Sequence, residues 1–131
     1  MGDPETEVVL PRIASDLFDL FEGVANQTLD KKSFSVIDKT AATVVLVAGG
    51  YPEAYEKNKE ITGFDSVEES IVYHAGTVIK DQKVVTNGGR VMAITSFGDT
   101  IEAALAKSYN SIQKIHFDKM NYRKDIGFDL V

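Results

Sequence analysis

The stretch Val78-Ile79-Lys80-Asp81-Gln82-Lys83-Val84-Val85-Thr86-Asn87-Gly88-Gly89-Arg90 holds two short apolar runs that mirror each other about Asp81-Gln82, the pattern of a hairpin closed by a two-residue loop. Asn87-Gly88-Gly89 then separates that pair from the segment Arg90 to Ser96. Asn-Gly-Gly between apolar runs predicts a turn with positive φ, and Arg90 to Ser96 a third strand that continues a meander. Consecutive hairpins make an antiparallel sheet. The same turn places Arg90 at the mouth of a strand, where a planar fork of five donors suits a phosphate or a carboxylate. Backbone N–H groups of the Gly88-Gly89 turn can approach such an anion with no Cβ in the way.

Upstream, Thr43-Val44-Val45-Leu46-Val47-Ala48 is apolar almost throughout and reads as a strand covered on both faces, broken sharply by Gly49-Gly50-Tyr51-Pro52. Phe34 and Val36 alternate with Ser33 and Ser35 as a half-exposed strand would. Tyr55 to Glu69 is polar and reads as a loop with one helical turn, before Ile71-Val72-Tyr73 opens another strand. Nearer the N-terminus, Leu10, Ile13, Leu17, Leu20, Phe21 and Val24 recur at helical spacing, which predicts one amphipathic helix from Leu10 to Val24 with Pro11 in its first turn. Downstream, Gly98-Asp99-Thr100 starts a helix whose apolar face carries Ile101, Leu105, Ser108, Ile112 and Ile115. His116 stands at its end, suited to the negative pole of the helix dipole. The expected fold class is α+β: an N-terminal helix followed by a small antiparallel β domain closed by a C-terminal helix.

A chain of 131 residues supports one core, and 44% hydrophobic with 26% charged residues is the composition of a globular protein. A net charge of −6 argues against a nucleic-acid partner, which needs a basic face to displace counterions. With no cysteine there is neither a disulfide nor a thiolate metal site, which fits a cytoplasmic location. The two histidines, His74 and His116, have no second ligand at metal-binding spacing, so no metal site is expected here. The longest apolar run is far short of a membrane span, and the acidic start lacks the form of a secretory signal. No phosphate-binding glycine loop opens a helix anywhere in the chain. Lys80 and Lys83 flank a hairpin tip as a biotinyl or lipoyl lysine would, but no methionine neighbours them. A stand-alone module holding a small anion at the glycine corners remains the alternative to a part of an enzyme.

Eight short words stand in order along the chain: Gly2-Asp3-Pro4-Glu5, Leu10-Pro11-Arg12, Ser15-Asp16-Leu17, Gly49-Gly50-Tyr51-Pro52, Ile61-Thr62-Gly63, His74-Ala75-Gly76-Thr77, Val84-Val85-Thr86-Asn87-Gly88-Gly89-Arg90-Val91 and Tyr122-Arg123-Lys124-Asp125-Ile126-Gly127. Together they resemble the C-terminal part of the phosphoribosylamine-glycine ligases, also called glycinamide ribonucleotide synthetases, ATP-grasp enzymes of purine biosynthesis. Members of that family form glycyl phosphate from glycine and ATP and let the amine of phosphoribosylamine displace the phosphate. The resemblance implies that residues 1–30 are the terminal helical segment of the ATP-grasp domain and that residues 31–131 are the C-terminal domain.

In the family the Gly-Asp-Pro-Glu word follows Arg-Phe, with the magnesium-holding Glu and Asn shortly before it; here Met1 stands at the place of that Phe. The metal ligands and the nucleotide clamp are therefore expected upstream, so that ATP and Mg²⁺ serve the intact enzyme and none is held by these residues. The expected partners are the rest of the ligase, glycine and phosphoribosylamine. The fragment alone is expected to be inactive, and its N-terminal helix, exposed without its native neighbours, to dimerise. Asp3 and Glu5 read from the residues as a solvated helix start, and His74 as a structural hydrogen-bonder. The resemblance instead adds Asp3, Glu5, His74, Gly76 and Thr77 to Asn87, Gly88, Gly89 and Arg90 as substrate-binding candidates.

Overall fold

A computed structural model describes Gly2 and residues 4–130. In chain order it contains α1 (Thr6–Val9), α2 (Leu17–Ala25), β1 (Thr40–Val47), β2 (Ile71–His74), β3 (Thr77–Lys80), β4 (Lys83–Thr86), β5 (Arg90–Gly98) and α3 (Ile101–Ile112). Single 3₁₀ turns occur at Leu10–Arg12, Leu29–Lys31 and Phe64–Ser66. β5 is the centre of a three-stranded antiparallel sheet in the order β1-β5-β2, while β3 and β4 form a separate hairpin. The α+β class read from the sequence is the class observed.

The residues of β5 explain its central place. Val91, Met92, Ala93, Ile94, Thr95 and Ser96 are all buried, and such a run survives only where both faces are covered. On one face α3 packs against Val44, Leu46 and Ile94 through Ile112, with Ile115 and Phe117 closing the same core. Burial of a side chain such as Leu46, Ile94 or Phe117 stabilises the fold by about 1.5–3 kcal/mol each. Hydroxyl groups fill the seam: Ser108 Oγ donates to Ser96 Oγ at 2.8 Å, and Ser70 Oγ lies 2.7 Å from Ser96 Oγ and 2.6 Å from Ser111 Oγ. These small residues let the helix approach closely while satisfying one another. On the opposite face lies α1, where the Glu7 carbonyl accepts from Thr95 Oγ1 at 2.8 Å.

Several sequence expectations are corrected. The helix expected from Leu10 to Val24 is two pieces, because the chain is extended at Ile13, which bridges to Val36, and α2 starts afresh at Leu17. Asp16 makes that new start, its carboxylate accepting from the backbone N–H groups of Phe18 and Asp19. The strand expected around Phe34 and Val36 is reduced to that single bridge. In β1 the buried Ala42, Val44 and Leu46 alternate with half-buried Thr43, Val45 and Val47, so only one face is fully covered.

The left-handed residues of the mirrored stretch are Asp81 and Gln82, at φ 51° and 63°, and not Asn87-Gly88-Gly89. That triplet carries the chain out of the β3–β4 hairpin into the other sheet, so β5 does not continue a meander. His116 lies beyond the end of α3 and pairs its backbone with Thr62, which removes it from the helix dipole.

Candidate functional site

Three glycine corners meet at one end of the three-stranded sheet. Gly76 N donates to Arg90 O at 2.9 Å, and Gly76 O accepts from Asn87 N at 2.7 Å and Gly88 N at 3.1 Å. Ala48 N donates to Gly89 O at 2.8 Å, which joins the corner Gly49 to Pro52 to the same point. The crossing of Gly76 over Gly88 requires both residues to lack a side chain: a Cβ on Gly76 would stand 2.6 Å from Gly88 Cα and 2.5 Å from Arg90 O. The ring of Tyr51 lies over Gly89 in the same way.

A slip in register aims Arg90. Leu46 stands opposite Met92 but Val47 stands opposite Arg90, which leaves Val91 as an extra residue on β5. This is a β-bulge, and such bulges redirect side chains. Val91 and Met92, although consecutive, both enter the core, while Arg90 comes to the face of Val45 and Val47.

On that face is a cleft of about 510 Å³. Its floor is Thr43, Val45 and Val47 of β1; one wall is Tyr51, Pro52 and the half-buried Arg90. The other wall is Asn121, Tyr122 and Arg123, with Pro4 and Ile126 closing the far end. Asn121 pairs its backbone with Val47 at 2.8 and 3.0 Å, and Tyr109 Oη donates to Arg123 O at 3.1 Å, so the second wall is fixed. A trough of about 370 Å³ adjoins the cleft through Pro4, Thr43 and Ile126, with Glu5 on its lining. Largely apolar walls around a few fixed polar groups are what small-ligand sites have in common.

The predicted residues divide into groups. Arg90 lines the cleft and Glu5 the trough; Asn87, Gly88, Gly89 and Gly76 shape the corner beneath Arg90 through their backbones. His74 and Thr77 lie across β5 from the cleft, with His74 Nδ1 3.1 Å from Thr77 Oγ1 and the imidazole edge-on to Phe64 at 5.4 Å. Asp3 lies outside the described residues.

Sequence reasoning passed over Tyr51, Tyr122 and Arg123 as site residues. Their signal was present, since both of their words belong to the ordered set. Arg123 forms a bidentate pair with Asp125, each N···O distance 2.8 Å, which raises the guanidinium pKa through the hydrogen bonds and lowers that of Asp125. Behind the Tyr51 corner, Glu56 is clamped between Lys119 at 2.6 Å and Lys59 at 2.5 Å. Those hydrogen bonds, the one from Lys119 foremost, hold its carboxyl down to about 2.

Among the described residues no group of three or more His, Asp or Glu side chains comes together as a metal ion requires. They do not assemble a donor set for Mg²⁺. Among them, too, no helix is long and apolar enough to cross a membrane.

The fold and its cleft define a small α+β domain that presents a bulge-aimed arginine and two tyrosines to a largely apolar cleft. Residues 41–129 match the family described as phosphoribosylglycinamide synthetase, C domain, and the chain belongs to that family. It is 47% identical over 96% of its length to the bifunctional purine biosynthetic protein ADE1 of Schizosaccharomyces pombe, of which it spans 16%. It is 42% identical over 96% of its length to the phosphoribosylamine–glycine ligase of Caldanaerobacter subterraneus, of which it spans 30%. The crystal structure of the Thermotoga maritima ligase of the same name superposes with a TM-score of 0.73 at 38% identity, over 95% of this chain and 31% of that one. The chain thus spans less than a third of these relatives.

Proposed function

We propose that the chain is the C-terminal part of an ATP-dependent ligase that joins glycine to phosphoribosylamine to give glycinamide ribonucleotide in purine biosynthesis, and that its cleft walls the substrate side of the active site. One observation carries the reading: the bulge at Val91 turns Arg90 into a cleft of about 510 Å³ beside Tyr51 and Tyr122. Phosphoribosylamine carries a phosphate and glycine a carboxylate, and a guanidinium fork meets either with two parallel hydrogen bonds. Relatives named for this ligase match the chain nearly end to end, which supports the same reading.

On this account the remainder of the longer enzyme supplies ATP and Mg²⁺ and works in the cytoplasm, and this segment contributes binding and enclosure. Residues 1–30 belong to the ATP-grasp domain and residues 31–131 to the C-terminal domain. Phe18, Phe21 and Val24 of α2 are exposed at 76%, 66% and 60%, the state of a helix made to pack against another part. In the isolated chain a second copy covers that face. Light scattering should therefore show a concentration-dependent dimer that Phe21→Ser disperses; a strict monomer at high concentration removes this point.

The test is Arg90→Lys in the ligase carrying this segment. A lysine keeps the charge and loses the fork. The Michaelis constant for glycine or phosphoribosylamine should rise about fivefold or more while that for ATP stays unchanged. An Arg90 with a purely structural role would lower the melting temperature and leave every Michaelis constant alone.

A further inference from the structure

Tyr51 occupies the space that a side chain at position 89 would fill. The three atoms nearest to a Cβ built on Gly89 all belong to the Tyr51 ring: Cδ2 at 2.0 Å, Cε2 at 2.5 Å and Cγ at 3.1 Å. The ring therefore presses on the peptide immediately before Arg90. It is itself held, since Tyr51 N donates to Ala48 O at 3.1 Å and Tyr55 stands edge-on at a centroid distance of 6.1 Å. Ala48 N in turn donates to Gly89 O at 2.8 Å, which closes a small circuit around the start of β5. With 38% of its surface exposed, Tyr51 still shares the cleft wall with Arg90.

We propose that Tyr51 is a positioning residue for the anion site: its ring buttresses the Gly89–Arg90 peptide so that the guanidinium keeps a single aim into the cleft. The kinetic part of this rests on the function proposed above; the structural part stands without it. A side chain confined to one orientation before the ligand arrives binds without the entropic cost of being ordered. The ring, not the hydroxyl, does this, because each of the close atoms is a ring carbon.

The geometry dictates a double-mutant cycle. Gly89→Ala should displace the ring and loosen Arg90. In a Tyr51→Ala background the three ring atoms nearest to the new Cβ are gone, so the double variant should be no worse than Tyr51→Ala alone. The first readout is the Arg90 Nε–H resonance of the isotopically labelled chain. We expect one dispersed signal in the unmodified protein and in Tyr51→Phe, and a collapsed, exchange-broadened signal in Tyr51→Ala and Gly89→Ala. The second readout is kinetic, in the ligase carrying this segment. There both variants should raise the Michaelis constant for glycine or phosphoribosylamine about threefold or more, with that for ATP and kcat unchanged. An Arg90 signal unmoved by both substitutions, or effects of the two that simply add, overturns the positioning role. A signal that collapses while every Michaelis constant holds upholds the positioning role and overturns the substrate reading of Arg90.

Discussion

Gly76→Ala tests whether the crossing of two glycines at the sheet end is what holds the site together. The new methyl group would lie 2.5 Å from Arg90 O, 2.6 Å from Gly88 Cα and 2.8 Å from Gly88 N. All three are backbone atoms, so no side chain can rotate away and the two segments must separate. Overpacking of this kind costs about 2–3 kcal/mol. Alanine also narrows the unfolded ensemble, which returns about 0.4–1 kcal/mol. The net loss is about 1–2.6 kcal/mol, and at roughly 4 °C per kcal/mol for a chain of this size the melting temperature should fall by about 4–10 °C.

Gly88→Ala provides the internal control. Its Cβ meets one backbone atom closely, Gly76 Cα at 2.9 Å, and nothing else nearer than 3.5 Å, so it should destabilise too, but by less than Gly76→Ala with its three close backbone contacts. Scanning calorimetry of the two variants reads the difference directly. A Gly76→Ala variant within about 2 °C of the unmodified protein, or a Gly88→Ala variant that is the more damaged of the two, would refute the reasoning.

Glu56 links the Tyr51 corner to pH. Its folded pKa of about 2 lies below the unfolded value of 4.5, so its contribution is complete above pH 4.5 and is lost as pH falls toward 2; Glu56→Gln should flatten that limb of the stability curve. High salt should shrink the effect, because the carboxylate and both lysines reach solvent. A Glu56 titration midpoint near 4.5 by NMR would show that the clamp is absent in solution. Ser108→Ala removes a buried donor to Ser96 Oγ and should cost about 1–2 kcal/mol, seen as a lower urea midpoint at unchanged slope; an unchanged midpoint contradicts the hydroxyl seam between α3 and β5.

What the sequence revealed and what it hid follow from the range of each signal. The Asp81-Gln82 tip, the start of α3 at Thr100 and a strand read as Thr43–Ala48, observed as Thr40–Val47, are local patterns, and each was legible. The order β1-β5-β2 was not, because Asn87-Gly88-Gly89 carries the composition of a hairpin turn while serving as a passage between sheets. Gly88 answers a close approach by Gly76, twelve residues earlier, and Gly89 one by the Tyr51 ring, and positive φ was never required. Helical spacing ran unbroken from Leu10 to Val24 because it does not register that Asp16 caps a second helix. At the site, Arg90 was legible as a fixed cation. The bulge that aims it was not, since a one-residue slip appears only when Val47 is seen opposite Arg90.

The central claim, that Arg90 holds a substrate anion in the cleft between Tyr51 and Tyr122, is tested most directly by a crystal structure of the ligase carrying this segment with glycinamide ribonucleotide bound. The account predicts a phosphate or carbonyl oxygen of that product within hydrogen-bonding distance of the Arg90 guanidinium, with the Tyr51 ring still lying on Gly89. Product seated outside this cleft, with Arg90 engaged only by protein groups, would contradict it.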